Sequence, residues 1–123
     1  MTTLPPPALR ITVTRGAREL TVDVAGDLDY DTVDHLVETV SEQLARHPEV
    51  RGVRLDFAEL SWIDSVGLSA LLMIHRRTRA VGGVLYLENR PALLERLLRQ
   101  TGTLGHLTAR PGRDEGATGA NVT

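Results

Sequence analysis

The stretch VRLDFAELSWIDSVGLSALLMI, residues 53–74, changes its period part-way through. Val53, Leu55 and Phe57 alternate with Arg54 and Asp56, the two-residue repeat of a strand with one buried face. From Val66 to Ile74 the residues are apolar nearly all round, broken by Gly67 and Ser69, as in a helix packed on more than one side. Between the two lies WIDSVG, with an acid, a hydroxyl and a glycine at Asp64, Ser65 and Gly67. A strand that runs through a short turn into a helix is half of a βα unit, which points to an α/β fold. Core packing needs one stripe of this helix; the rest is covered by a further helix or left for a partner.

The same reasoning extends outward. Arg10–Arg15 and Glu19–Val24 alternate around Gly16-Ala17, which predicts an antiparallel hairpin ending at Ala25-Gly26. Val33, Leu36, Val37, Val40 and Leu44 then follow helical spacing, with Asp29, Asp31, Thr32 and Asp34 at its start and His47-Pro48 at its end. Val50–Phe57 reads as a strand and the next helix runs from about Ser65 to Ala80, stopped by Gly82-Gly83. Val84–Glu88 is a short strand, and Pro91 opens a third helix that carries Leu93, Leu94, Leu97 and Leu98 and stops at Gly102. A last strand is expected near His106–Ala109. The order ββαβαβα, with a possible final β, predicts one domain over residues 10–109 with a mostly parallel, mixed sheet and one antiparallel edge. Residues 1–9 read as a lead-in, and the aperiodic residues 110–123 as a disordered tail.

Composition narrows the chemistry. A chain of 123 residues suits one core, and 41% apolar with 24% charged residues is ordinary for a globular protein. With no cysteine there is no disulfide, thiolate metal site or cysteine nucleophile. A net charge of −2 gives no electrostatic reason to expect nucleic acid. No run reaches the roughly 18 apolar residues of a membrane span and no leader is visible, so a cytoplasmic location is expected. Arg76, Arg77 and Arg79 close the second helix, where the dipole and solvation explain them.

Four chemistries compete for the polar residues. Ser65 on a strand-to-helix turn has the setting of a hydrolase nucleophile, but Ile63 stands where that motif needs its first glycine, and the four histidines show no paired spacing. Asp56 at a strand end could accept a phosphoryl group, yet the first strand ends in Thr14-Arg15-Gly16 with no acidic pair for Mg²⁺. Asp27, Asp29, Asp31 and Glu38 match calcium-loop positions, but Thr32 replaces the required glycine, so helix-start acids are preferred and no metal is expected. The fourth reading is a switch. A phosphate on Ser65 would meet free N–H groups and the positive end of a helix, leaving the fold intact while disturbing anything docked beside Asp64. The competing plain reading is a Ser or Asp N-cap. Trp62 and Ile63 read as a packed lead-in that aims the hydroxyl outward.

The stretches AGDLDYDTVDHLVETV (25–40) and LDFAELSWIDSVGLSALLMIHRRTRAVGGVLYLENRPALLERLLRQTGTLGHL (55–107) resemble the STAS domain, and within it the bacterial anti-sigma-factor antagonists. The resemblance implies a four- to five-stranded mixed sheet with helices largely on one side, and a binding module with neither enzymatic activity nor cofactor. It implies phosphorylation of Ser65 by an anti-sigma factor that is a serine kinase of the GHKL ATPase class. The unphosphorylated antagonist would bind that kinase and free sigma factor, and a PP2C-type phosphatase would restore the serine. Asp29 matches a position near the phosphoserine, and Asp64, Val66 and Gly67 complete the implied partner-binding set. Val66 departs from the small residue that relatives often carry. Other STAS domains serve in stressosome-like assemblies or lipid-transport ABC systems without this cycle.

Overall fold

The computed structural model describes residues 8–109; residues 1–7 of the predicted lead-in and the predicted tail from 110 lie outside the described residues. The chain forms β1 (Leu9–Arg15), β2 (Glu19–Leu28), α1 (Val33–Arg46), β3 (Gly52–Asp56), β4 (Leu60–Ile63), α2 (Ser65–Ala80), β5 (Val84–Glu88), α3 (Ala92–Gln100) and α4 (Leu104–Thr108). β1 pairs antiparallel with β2, while β2–β3 and β3–β5 are parallel. β4 pairs in parallel with the end of β2, beyond the point where β3 stops. The sheet is therefore mixed, parallel except for its β1 edge, as the alternation of elements predicts.

Alternation along each strand sorts the two faces. Leu20, Val22 and Val24 of β2, Val53 and Leu55 of β3, and Leu85 and Leu87 of β5 are buried. They meet Leu36, Val37, Val40 and Leu44 of α1, Leu68, Leu71 and Ile74 of α2, and Leu94, Leu98 and Leu107 of α3 and α4. Each such side chain contributes about 1.5–3 kcal/mol through removal from water. The intervening positions form an open polar face. There Arg54 Nε donates to Glu19 Oε1 at 2.6 Å, pairs with Glu88, and lies 4.4 Å from the Tyr86 ring centroid. The helices accordingly cover one side of the sheet.

Three elements differ from expectation. β2 does not stop at Gly26 but continues to Leu28. Gly26 takes φ +104°, and a Cβ there would lie 2.2 Å from the Ala8 carbonyl oxygen, so glycine bends the strand instead of ending it. At that bend the pairing with β4 steps from Gly26–Leu60 to Asp27–Trp62, which leaves Ser61 as an extra residue. Ser61 and Trp62 consequently both face outward while Leu60 and Ile63 are buried, so β4 carries no two-residue period and was not expected. Trp62 is 49% exposed, which corrects the packed lead-in: Ile63 alone fills that role. The strand expected near His106–Ala109 is instead the helical turn α4. There Leu107 N–H donates to Thr103 O at 2.9 Å, Thr108 Oγ1 donates to Leu104 O at 2.7 Å, and Leu107 is buried.

Candidate functional site

The D-S-x-G turn sits where β4 passes into α2. Asp64 is extended (φ −122°, ψ −170°), and its Oδ1 accepts the Gly67 N–H at 3.0 Å, a side-chain N-cap. Leu68 N–H closes the first helical bond to Asp64 O at 2.9 Å. The cap takes the Gly67 donor, and the N–H groups of Ser65 and Val66 before it belong to the unsatisfied first turn, the part of a helix that favours an anion. Ser65 and Val66 are exposed, and Ser65 Oγ has no hydrogen-bond partner among the described residues. The cap and the switch readings thus separate by residue: Asp64 caps, and the Ser65 hydroxyl is left over.

Gly67 has a steric role. It is buried, and a Cβ there would lie 2.5 Å from Leu28 O and 2.7 Å from Ile63 Cγ1. The missing side chain lets the first turn of α2 press against the ends of β2 and β4. Its effect on the site is through helix placement.

Asp29 reaches the same end of the sheet. Leu28 and Ile63 are register partners, so Asp29 and Asp64 leave neighbouring strands one residue later. The loop after β2 is held by Thr32, whose buried hydroxyl accepts Asp29 N–H at 2.9 Å and donates to Asp27 O at 2.8 Å. Asp29 Oδ1 accepts Asp31 N–H at 3.0 Å, an Asx turn that orients the carboxylate. Sequence reasoning gave Thr32 a place at the helix start but missed this bracing role: Thr32 is the N-cap residue of α1, yet its hydroxyl bonds back into the loop and makes no capping bond to the helix. It also missed the two exposed aromatics of this end, Tyr30 (79%) beside Asp29 and Trp62 on β4. The Gly26–Asp27 bulge that turns Trp62 outward is a pairing feature, and the sequence carries no signal of it.

The other chemistries find their residues apart. No histidine bonds Ser65 among the described residues, and His75 lies roughly 15 Å along α2 at 1.5 Å per residue. Asp56 Oδ1 accepts Ala58 N–H at 2.9 Å and its Oδ2 accepts Asn89 Nδ2–H at 3.0 Å, the bonds of a strand-end residue. Asp27 lies in β2, Asp29 in the Asx turn and Glu38 in α1, so the would-be calcium loop is split between elements. Among the described residues no helix is long and apolar enough to cross a membrane.

The STAS domain family matches residues 8–115, nearly the whole chain. This chain is a member of the STAS domain family. Three solved structures share its fold. An anti-sigma factor antagonist from Mycobacterium paratuberculosis is 22% identical, with a TM-score of 0.67 over 94% of this chain and 97% of that one. The phosphorylated form of the Bacillus cell-fate determinant SpoIIAA is 22% identical, with a TM-score of 0.64 over 87% and 96%. The unphosphorylated form of the anti-sigma factor antagonist SpoIIAA is 22% identical, with a TM-score of 0.62 over 73% and 82%. In this STAS domain, Asp29, Asp64, Ser65 and Val66 are gathered at one end of the sheet, with Gly67 buried beneath them.

Proposed function

We propose that this STAS domain is an anti-sigma-factor antagonist switched by phosphorylation of Ser65. The observation that supports it is the exposed, unpartnered Ser65 hydroxyl at the first residue of α2, beside a capping Asp64, in a chain of this family. Unphosphorylated, the surface formed by Asp29, Asp64, Ser65 and Val66 docks on an anti-sigma factor that is a serine kinase of the GHKL class, and sigma factor is freed. The kinase transfers the γ-phosphoryl group of ATP to Ser65 Oγ, whose proton leaves. The phosphoserine brings a charge of about −1.5 to −2, which the first-turn N–H groups tolerate and a docked surface does not. A PP2C-type phosphatase resets the serine. The role is that of a regulator in the cytoplasm, without catalysis of its own.

The test is incubation with the cognate anti-sigma kinase and ATP, followed by mass spectrometry. One phosphate on Ser65, absent in Ser65→Ala, is the expected result; modification that survives Ser65→Ala overturns the assignment. Ser65→Asp is expected to weaken kinase binding by at least about tenfold, while stability stays within about 0.5 kcal/mol of the parent. Equal binding of both forms would remove the switch. Co-purification with a membrane permease instead of a kinase would place the domain in a transport assembly.

A further inference from the structure

At the other end of α2 a cleft opens between α2 and α4. It has a volume of about 540 Å³ and is lined by Leu72, His75, Arg76, Arg79, His106 and Ala109. Every ionisable group in that lining is basic. Arg76 and Arg79 stand three residues apart on one face of α2, and neither has an ion-pair partner among the described residues. Their neighbour Arg77 differs: it turns to α1 and donates to Ser41 Oγ at 2.6 Å. Dipole complementation accounts for three arginines at a helix end, but it does not gather two of them with two histidines around one cleft.

His75 supplies an independent observation. It is only 7% exposed, its ring centroid is 4.6 Å from that of His106, and its buried Nε2 has no hydrogen-bond partner. A buried polar atom without a partner is uncommon and calls for an explanation. Burial, with His106 and Arg79 nearby, lowers the His75 pKa, and the arginines carry the fixed charge of the cleft.

We propose that the α2–α4 cleft binds a small oxyanion, a phosphate or carboxylate, carried on a compact apolar body. The guanidinium groups of Arg76 and Arg79 hold the oxyanion, for which their forked donors are suited. The imidazole of His106 adds a donor at the rim, and Leu72 and Ala109 contact the apolar part. The volume lies in the range of small-molecule sites and exceeds what a bare ion fills. The residues of α2 that line the cleft lie roughly 10–21 Å along the helix from Ser65, so it is separate from the phosphorylation turn.

The experiment is calorimetric titration of the full chain with inorganic phosphate and with phenyl phosphate at constant ionic strength, with amide NMR to locate the response. Saturable binding of roughly millimolar strength or tighter is expected, with shifts centred on Arg76, Arg79 and His106. Phenyl phosphate is expected to bind more tightly, and equal affinity would overturn the apolar half of the assignment. The variant Arg76→Gln/Arg79→Gln, whose two sites are exposed, is expected to keep the parent melting temperature and lose at least about tenfold in affinity. No saturable binding, unchanged affinity in that variant, or shifts centred on Ser65 would overturn the proposal.

Discussion

Gly67 governs how closely α2 approaches the sheet. A methyl group added there meets the Leu28 carbonyl oxygen at 2.5 Å and Ile63 Cγ1 at 2.7 Å, and both are held, one by backbone pairing and one by burial. The helix start must therefore shift, carrying Ser65 and Val66 with it. Gly67→Ala is expected to destabilise the domain by about 1–3 kcal/mol in urea unfolding, the usual range for overpacking. A helix-propensity gain of up to about 1 kcal/mol opposes this, so a stabilised variant would show that the approach is not tight. Glycine in D-S-x-G is legible in the sequence as a letter. What it touches is not, because Leu28 is distant in sequence.

The element that most alters the site is β4 together with the bend in β2. Gly26 at φ +104° sends β2 past the Ala8 carbonyl and into register with β4, and this pairing fixes Asp29 beside Asp64. Gly26→Ala places Cβ against backbone at 2.2 Å in a conformation that L-residues rarely adopt. A loss of more than about 2 kcal/mol is expected, with amide exchange accelerated first in β4 and the Asp29 loop. Exchange that speeds up uniformly across the sheet would contradict a local role for the bend. The hairpin, α1, α2, β5 and α3 are all legible in the sequence, since each buries one face and so imposes a period of 2 or 3.6. β4 and α4 bury too few residues to impose one. β4 has Leu60 and Ile63, spaced as in a helix, and α4 has Leu107.

Across the whole molecule, the α2–α4 junction makes stability depend on pH. Burial, with His106 and Arg79 nearby, lowers the His75 pKa below its ordinary value of 6.5. His106, Arg76 and Arg79 are the charged or titratable groups that line the cleft with it, and none is an acid that could stabilise imidazolium. The unfolded chain therefore binds this proton more readily than the folded one. Stability from His75 is fully present above about pH 6.5 and is lost as pH falls toward the folded pKa. Glu95 acts in a lower window: its bond to Arg90 lowers its pKa below 4.5, and its contribution disappears as pH falls through that depressed value. Urea unfolding at about pH 7.5 and about pH 5.5 is expected to show a loss in the parent that is smaller in His75→Gln. An identical loss in both would assign the pH dependence elsewhere.

The one-sided burial of each major element lets the sequence determine the α/β order, the antiparallel edge and the place of Ser65 at a helix start. Local chemistry also makes Asp64 legible as a capping residue, because a cap bonds within its own first turn. Tertiary structure decides what depends on residues far apart in the chain. The bulge at Gly26–Asp27 turns Trp62 outward, the Leu28–Ile63 pairing sets Asp29 beside Asp64, and Leu28 makes Gly67 sterically necessary. The cleft of Arg76, Arg79, His75 and His106 likewise exists because α4 folds back against α2. Periodicity records which face of an element is buried, whereas register and close approach are fixed by the neighbour that buries it.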